Sequence, residues 1–363
     1  MYIESLVLKN FRNYENGRFE FSEGVNVITG MNAQGKTNCA EAVFYLCTGY
    51  SPRASRDRQV IRYGQESAHI SGTAKTAYGS VGVEITFFPD KKKILVNGAE
   101  TLRIGELLGN INSVFFNPGE LKLVKESPED RRRFLDISLS QMNKKYFYAL
   151  QKYKKILSQR NSLLKDENKD LVRETLSLWD TQLVKAAATI IKERNDFLRM
   201  LSPYAAEAHG FITDGKENLE VSAGYRYDGS EETIASQLLA DLAESTEKSI
   251  ALGYTTVGPH RDDLRIKING EDVKTYGSQG QQRTAALSMK LAELEIFRAR
   301  FHEYPVLLLD DALSELDASR RLRVLERTEG VQTIITCTEE DETFSNRKIT
   351  RFSVCGGKVE KRG

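Results

Sequence analysis

The sequence has few of the residues that build disulfide frameworks and metal sites. Its 363 residues include four cysteines and four histidines. The cysteines form no CxxC pair and have no zinc-finger spacing to a histidine. This pattern excludes disulfide-stapled and zinc-finger folds and predicts reduced thiols in a cytosolic protein.

Long hydrophobic runs and a strong charge of either sign are also missing. The longest clean apolar run, Val306–Leu309, is far shorter than the roughly 20 residues of a spanning helix. The first residues lack the basic and apolar regions of a signal peptide. Lys plus Arg (52) against Asp plus Glu (51) gives a net charge of +1, so bulk charge predicts no polyanionic partner. We expect a cytoplasmic protein without membrane association.

The strongest positive signal is a phosphate-binding loop. Residues 30–37 read GMNAQGKT and fit the pattern G-x-x-x-x-G-K-[ST]. The preceding apolar segment, Val25–Thr29, predicts a buried strand, and Asn38–Leu46 predicts a helix. The N–H groups of such a turn and the helix dipole bind anions. The pattern predicts nucleoside triphosphate binding, with Lys36 at the β- and γ-phosphates and Thr37 on Mg²⁺.

A second strand supplies the carboxylates that such a site needs. Residues 305–311 read PVLLLDD, an apolar strand that ends in Asp310 and Asp311. In phosphate-loop proteins the first acid supports Mg²⁺, and the second orients or deprotonates the attacking water. The following stretch, Leu313–Asp317, opens a helix and is a candidate for contacts between subunits.

A capped helix precedes that strand. Residues 276–283 read YGSQGQQR, in which Ser278 is a natural N-cap for a helix through Leu294. By itself the segment is equally consistent with an ordinary capped helix. Its place before the Asp310 strand is where ATP-binding-cassette ATPases carry a signature motif of Ser, Gly and Gln character. That motif closes over the γ-phosphate held by a second subunit.

Hydrophobic patterning predicts a β-rich first part and a helical middle. From about residue 128, leucines and aromatics recur at helical spacing and predict two antiparallel helices joined by a polar turn at 165–170. Segments 219–221 and 264–268 are candidates for a strand pair. Alternating apolar residues predict further strands at 2–8, 17–21, 81–87 and 93–96.

The patterning also predicts two lobes. Residues 1–120 and 300–363 are expected to form an ATPase lobe with the phosphate loop, the Asp310 strand and the stretch after it. Residues 121–299 are expected to form a mainly helical lobe that carries the Ser278 segment.

The motifs, in this order, resemble the cassette-type ATPase head of the SMC and RecF families, and the details are closest to RecF. Residues 8–14 (LKNFRNY) are similar to the opening strand and turn of those heads. Residues 127–136 (SPEDRRRFLD) and 258–264 (GPHRDDL) resemble RecF blocks that transport ATPases lack. The match runs nearly end to end, although the insertion is too short for the long SMC coiled coil. It implies an α/β fold, an ABC/SMC-type P-loop ATPase head with a mixed β-sheet and helices, plus an inserted mainly helical lobe.

The resemblance implies ATP and Mg²⁺ as cofactors and a weak, DNA-stimulated ATPase activity in recombinational repair and replication restart. ATP binding would drive homodimerisation and DNA clamping, and slow hydrolysis would release the clamp. The implied partners are RecR, RecO and gapped or single-strand/duplex junction DNA. Implied catalytic residues are Asp311 and Lys36, and implied metal ligands are Thr37, Asp310 and Asn117. The implied nucleotide contacts are Gly30, Met31, Asn32, Ala33, Gln34, Gly35, Lys36, Thr37, Arg12, Ser278, Gly280 and Gln281.

Two departures from the cassette pattern predict slow turnover. Asp311 stands where most cassette ATPases have glutamate, which is one methylene longer. The segment after Ile334–Ile335 reads TCT and lacks a histidine that senses the γ-phosphate. The nearest equivalent of the cassette glutamine loop is Asn117, which is not a glutamine.

A basic stretch is the candidate DNA contact. From Arg131 to Lys165 there are ten basic residues and one acid, Asp136, a local charge of +9. Such a stretch can contact backbone phosphates independently of sequence. A solvated helix face explains it equally well, and the acidic segment 228–247 can neutralise it. The candidates are Arg132, Lys144, Lys145, Lys152 and Lys155.

Three other functions stay open. The chain could be a transport-type cassette subunit, although the missing histidine and the RecF-like blocks argue against that. It could be a DNA-binding scaffold whose nucleotide is structural. It could also be a metal enzyme that uses His260, Asp262 and Asp263, a group that more often forms a hydrogen-bonded structural corner.

Overall fold

The computed structural model describes residues 1–224, 226–314, 316–339, 344 and 349–362. These residues form two compact units. Unit 1 contains Met1–Leu121, Tyr204–Asn218 and Ser278–Gly363, and unit 2 contains Lys122–Pro203 and Leu219–Gly277. No helix among the described residues is long and apolar enough to cross a membrane.

The described residues contain strands and helices in both units. The strands are β1 (Tyr2–Phe11), β2 (Tyr14–Glu20), β3 (Val25–Thr29), β4 (Ala68–Thr76), β5 (Gly79–Phe87), β6 (Lys92–Val96), β7 (Ala99–Thr101), β8 (Ser113–Phe116), β9 (Leu219–Ala223), β10 (Leu264–Ile268), β11 (Glu271–Asp272), β12 (Val306–Asp310), β13 (Thr333–Cys337), β14 (Ile349–Cys355) and β15 (Lys358–Arg362). The α-helices are α1 (Lys36–Thr48), α2 (Ile104–Leu107), α3 (Lys122–Lys125), α4 (Pro128–Met142), α5 (Lys144–Leu164), α6 (Lys169–Thr213), α7 (Glu231–Glu244), α8 (Thr246–Leu252), α9 (Val273–Tyr276), α10 (Gln279–Phe301) and α11 (Ala318–Arg327). Short 3-10 helices cover Asp57–Val60 and Pro118–Leu121.

The central sheet of unit 1 has the order β15-β14-β3-β13-β12-β8. All neighbours pair in parallel except the edge pair β14 and β15. Every residue of β12 and β13 is buried, as expected for parallel strands covered on both faces. The carboxyl ends of β3, β8, β12 and β13 therefore meet at one edge of the sheet, where ligands bind in α/β folds.

A second sheet of unit 1 is antiparallel, with the order β2-β1-β4-β5-β6-β7. It confirms the strands predicted at 2–8, 17–21, 81–87 and 93–96. The turn between β1 and β2 contacts the phosphate loop, as described below.

Unit 2 confirms the predicted helix pair. Arg160 and Asp180 form an ion pair at 2.6 Å, and Arg194 Nε donates to the Tyr146 hydroxyl at 3.1 Å. The residue nearer the start of α5, Tyr146, contacts the residue nearer the end of α6, Arg194. This part of the helix pair is therefore antiparallel. The strand pair also forms, since β9 and β10 are antiparallel with Val221 opposite Ile266.

The division into units differs from the predicted lobes in two respects. Tyr204–Asn218, which was predicted in the helical lobe, belongs to unit 1. Helix α10, which Ser278 caps, belongs to unit 1 and not to the helical unit. It is buried on most of its circumference, and its Lys290 is a buried ion-pair partner of Glu120 at 3.5 Å and Glu293 at 3.1 Å. Helical spacing shows that a helix is buried but not which layer buries it, so the sequence pattern placed the boundary too late.

Candidate nucleotide-binding site

The phosphate loop lies between β3 and α1, and two glycines give it its shape. Gly30 and Gly35 have φ angles of 152° and 122°. A Cβ on Gly30 would collide with the Val354 carbonyl oxygen, and one on Gly35 would lie 2.8 Å from Asn13 Oδ1. Side chains larger than hydrogen therefore do not fit at these two positions.

Gln34 is the anchor of the loop. Its carbonyl oxygen accepts from Asn13 Nδ2 at 2.6 Å and from the Gly357 N–H at 3.1 Å. Its side-chain Oε1 accepts from the Gly356 N–H at 2.5 Å. The loop is thus fixed both to the β1–β2 turn and to the β14–β15 turn, while Met31, Asn32 and Ala33 are exposed.

Lys36 is folded into the loop. Its Nζ donates to the carbonyl oxygens of Gly30 at 2.6 Å and Met31 at 2.9 Å, and the residue is buried. These carbonyls hold the ammonium within the turn whose N–H groups form the anion site. The ammonium is therefore positioned to contact a phosphate in that turn.

The Asp310 carboxylate connects three elements. Its Oδ1 accepts from the Thr37 hydroxyl at 2.8 Å and from the Thr336 hydroxyl at 2.6 Å. Burial raises the pKa of Asp310, although both hydroxyl hydrogen bonds lower it. Thr37 and Asp310 offer only oxygen ligands, which is the donor set that Mg²⁺ prefers. The residues present therefore fit a magnesium ion.

Asp311 follows in a left-handed conformation with φ 51°. Its N–H donates to both the carbonyl and the hydroxyl oxygen of Thr336 at 3.1 Å. Its Oδ1 is buried and has no hydrogen-bond partner among the described residues. A buried carboxylate oxygen without a donor is costly, so this oxygen is a natural acceptor for a water or ligand proton.

A cavity of about 710 Å³ lies next to the loop. Its lining includes Gly30, Met31 and Gln34 of the loop together with Thr338 and Arg351. Its volume is within the range of small-molecule sites.

Ser278 caps α10 as the sequence predicts. Its Oγ accepts from the Gln281 N–H at 3.2 Å, and its own N–H donates to Gln281 Oε1 at 2.9 Å. Gln281 Nε2 also donates to Glu217 at 3.2 Å, and the nearest atoms to a Cβ on Gly280 belong to Arg320 and Ser278. None of these contacts, among the described residues, includes the phosphate loop.

Comparison with known proteins assigns the family. The family model described as RecF/RecN/SMC N terminal domain matches residues 2–358. The DNA replication and repair protein RecF of Lachnoclostridium phytofermentans is 44% identical over 366 residues, which cover 99% of this chain and all of that protein. The chain belongs to the RecF family. RecF of Ruminiclostridium cellulolyticum is 42% identical over 369 residues, with 99% of each chain covered.

Solved structures agree. The recombination mediator protein RecF in complex with ATP in the RecFOR pathway is similar with a TM-score of 0.90 and 37% identity, covering all of this chain and 98% of that one. An Smc head bound to the C-winged helix domain of ScpA has a TM-score of 0.59 at 19% identity and supports the fold alone. The resemblance and the fold class predicted from the motifs are confirmed.

The RecF-like turn at Arg12 is engaged within the protein. Arg12 Nε and Nη2 donate to the Glu41 carboxylate at 2.9 and 2.6 Å, and Nη1 donates to the Gln59 carbonyl at 2.9 Å. Glu41 is fully buried on α1 and was not predicted to be a functional residue. A lone acid amid the apolar residues of the predicted helix was the available signal.

Two residues at the sheet edge complete this comparison with the predicted site. Asn117 follows β8, and the β8–β12 register of Phe116 opposite Leu309 puts it next to Asp310 along the edge. Its Oδ1 accepts from the Gly119 N–H at 2.7 Å, so its side chain caps its own turn.

Thr336 was also overlooked, because a threonine after an apolar strand carries no distinctive pattern. Of the stretch Leu313–Asp317, Glu315 lies outside the described residues.

The predicted DNA contacts in unit 2 fall into two groups. Arg132 Nη1 donates to the Asp262 carbonyl at 2.7 Å and Lys145 pairs with Glu231 at 2.6 Å, so both are engaged within the unit. Lys144, Lys152 and Lys155 are exposed and have no ion pair within the described ranges.

The local charge of +9 overstates what reaches solvent. Arg131 pairs with Asp263 at 2.5 Å and Arg160 with Asp180 at 2.6 Å, and both arginines are buried. The acidic segment 228–247 also neutralises part of this charge, because Glu231 pairs with Lys145. Counting charges along the sequence cannot separate buried ion pairs from an exposed face.

The His260 segment is a structural corner. Its Nε2 contacts the Thr255 carbonyl at 3.0 Å and its Nδ1 contacts the Tyr153 hydroxyl at 2.5 Å. The carbonyl must accept, so Nε2 carries the proton and Nδ1 accepts from the tyrosine. Asp263 is the partner of Arg131. Nowhere in the described part of the chain do three metal-ligating side chains cluster, so the metal-enzyme alternative has no support.

Proposed function

We propose that this chain is an ATP-dependent DNA-binding protein of recombinational repair and replication, in which ATP closes a homodimer on DNA and slow hydrolysis opens it. The observation that carries the proposal is the hydrogen bond between Thr37 of the phosphate loop and Asp310. It joins the two halves of a phosphate-loop site in a member of the RecF family. The ATP complex of a similar RecF supports ATP as the nucleotide.

The residues of this chain have distinct tasks in hydrolysis. The loop N–H groups and Lys36 hold the phosphates, and Thr37 and Asp310 would hold Mg²⁺, with Asn117 as a further candidate ligand. When bound, Mg²⁺ neutralises charge that develops on the phosphate oxygens. Asp311, with its unpartnered buried Oδ1, orients the attacking water and accepts its proton.

Two features support slow turnover. The position after β13 offers Thr338 and no histidine, so γ-phosphate sensing depends on weaker hydroxyl and backbone donors. Asp311 is shorter than glutamate, and its left-handed backbone fixes where the carboxylate reaches. We expect a turnover below the enzyme median of about 10 s⁻¹, with stimulation by DNA.

Dimerisation completes the site. In this proposal the N-terminus of α10, with Ser278, Gly280 and Gln281, contacts the γ-phosphate held by the second copy. Within one chain the Ser278 side chain bonds to Gln281 and not to the phosphate loop. In this proposal the signature helix therefore acts on the nucleotide of the second copy. The free N–H groups at a helix N-terminus suit an anionic phosphate.

DNA is the proposed polymer partner, and the protein would contact its backbone phosphates. Lys144, Lys152 and Lys155 provide exposed positive charge on α5. Gapped or junction DNA and the mediators RecR and RecO are further partners in this proposal, and the cytoplasm is the compartment. The competing function is a DNA-binding scaffold with a structural nucleotide, and ATP turnover that responds to DNA separates the two.

The experiment is light scattering of the purified protein with and without ATP, Mg²⁺ and a gapped duplex. A mass that doubles with ATP and Mg²⁺, and a further complex when DNA is added, are expected. A protein that stays monomeric at saturating ATP contradicts the dimer. A turnover that DNA does not change favours the scaffold.

A further inference from the structure

The segment that follows α1 presents a concentrated positive surface. Residues 53–63, here called the arginine segment, read RASRDRQVIRY. Arg53, Arg56 and Arg58 are exposed, and Tyr63 is 102% exposed. The segment therefore carries exposed guanidinium groups and an exposed aromatic ring within eleven residues.

The charge of the arginine segment is only partly compensated, since Arg53 lies 3.9 Å from the Glu41 carboxylate. It contains four arginines and one acid, Asp57, a net charge of +3. Asp57 is itself bound to Lys92 at 2.9 Å and to the Tyr45 hydroxyl at 2.5 Å. Arg62 pairs with Glu15 at 2.9 Å. Arg56 and Arg58 have no ion pair with any described residue.

The backbone of the arginine segment is held in place. Gln59 Oε1 accepts from the N–H groups of Ser55 at 2.9 Å and Arg56 at 3.2 Å. The Arg12 N–H donates to the Val60 carbonyl at 2.7 Å, and the Arg62 N–H donates to the Asn10 carbonyl at 2.8 Å. A preformed surface loses little conformational entropy on binding.

A short chain of contacts joins this surface to the phosphate loop. The Gln59 carbonyl accepts from Arg12, and Arg12 binds Glu41 through two hydrogen bonds. Glu41 lies one helical turn after Thr37 on α1. A shift of α1 would therefore be transmitted through Glu41 and Arg12 to the arginine segment.

We propose that the arginine segment binds single-stranded nucleic acid, with Arg56 and Arg58 on backbone phosphates and Tyr63 stacked on an unpaired base. The inference deepens the proposed DNA-binding function and rests on it. Guanidinium groups match phosphate geometry, and an exposed aromatic ring stacks bases irrespective of sequence. A duplex offers the same phosphates but no free base face, so Tyr63 favours the single strand.

The test measures fluorescence anisotropy of a labelled oligothymidine and of a labelled duplex with the full chain over a range of salt. Arg58→Glu is expected to weaken strand binding roughly tenfold and to reduce the salt slope by about 0.7. Tyr63→Ala is expected to weaken strand binding roughly tenfold and to leave duplex binding within twofold. Matched controls in the same unit are Arg300→Glu and Tyr78→Ala, which also change exposed side chains.

The outcomes separate this inference from the function on which it rests. Wild-type protein that binds neither DNA overturns both. Wild-type binding that survives Arg58→Glu and Tyr63→Ala overturns the inference alone. Equal losses for Arg58→Glu and Arg300→Glu show a bulk charge effect and overturn it too. A loss with Arg58→Glu but none with Tyr63→Ala shows a general polyanion surface, such as one for acidic peptides, and rejects the single strand.

Discussion

Thr37 and Asp310 lie 273 positions apart in the sequence, and the Thr37 hydroxyl donates to the Asp310 carboxylate at 2.8 Å. Parallel pairing of β12 with β13 and of β13 with β3 brings them together. The pair holds the start of α1 at the end of β12, so the phosphate loop lies beside the two carboxylates.

Lys36→Ala is expected to remove most nucleotide affinity. The Lys36 ammonium is held inside the loop by two carbonyls, and hydrogen bonds to charged groups contribute about 1.5–3 kcal/mol. Isothermal titration calorimetry with ATP should show an affinity about ten- to 150-fold lower. Lys93→Ala, which changes an exposed lysine of the same unit, is the control. An unchanged affinity would remove the loop from the site.

Asp311→Asn is expected to slow hydrolysis while ATP binding and dimerisation persist. Asparagine tolerates the left-handed φ of 51° but cannot accept a proton from water. Loss of a general base costs typically 10²- to 10⁴-fold, to be measured as a single-turnover rate. A rate within threefold of wild type would show that Asp311 is not the base.

Ser278→Arg is expected to abolish ATP-dependent dimerisation and to leave ATP binding by the monomer intact. The larger, positive side chain would occupy the N-terminus of α10. Loss of the cap alone costs about 1 kcal/mol of stability, so Ser278→Thr, which retains a hydroxyl cap, is the matched control. Light scattering at saturating ATP reads out the mass. If Ser278→Arg still forms dimers, ATP is not sandwiched by this helix.

Stability in unit 2 should depend on pH through two groups of opposite sign. Burial raises the pKa of Asp262 from 3.8 to about 6 and lowers the pKa of His260 from 6.5 to about 4. Asp262 therefore stabilises the fold below pH 4, and this is lost as pH rises through 6. His260 stabilises it above pH 6.5, and this is lost as pH falls through 4. Each contributes at most about 3 kcal/mol.

The two effects nearly cancel in the wild type, and substitution should separate them. In His260→Gln the free energy of unfolding should fall from pH 4 to pH 6, whereas in Asp262→Asn it should rise over that range. Urea unfolding at pH 4, 5 and 6 measures both slopes, and other titrating groups cancel in their difference. Parallel slopes would contradict the assignment.

The sequence predicted those parts of the molecule that local pattern determines. The loop of residues 30–37, the strand into Asp310 and the Ser278 cap each carry their signal within about ten residues, and the structure has them on the expected elements. Helix α11 begins directly after Asp317, where the stretch Leu313–Asp317 predicts the opening of a helix. Turn chemistry and caps are local, so they survive without knowledge of the fold.

Long-range partners were beyond the pattern. Glu41 as the acceptor of Arg12, and the Gly356–Gly357 turn as the anchor of Gln34, depend on packing between distant segments. The layer to which α10 belongs depends on the same packing. The basic stretch of α4 and α5 shows the same limit, since burial of Arg131 and Arg160 follows from acids on other elements.

The position of β3 has a consequence for how the protein matures. Its sheet neighbours, β13 and β14, come from residues 333–337 and 349–355. Nearly the whole polypeptide must therefore leave the ribosome before β3, the strand that precedes the phosphate loop, can pair on both edges. Such distant pairings are slow to form. The fluorescence of a nucleotide analogue added during cell-free synthesis should therefore rise only near the end of translation. Nucleotide binding would then report when folding is complete.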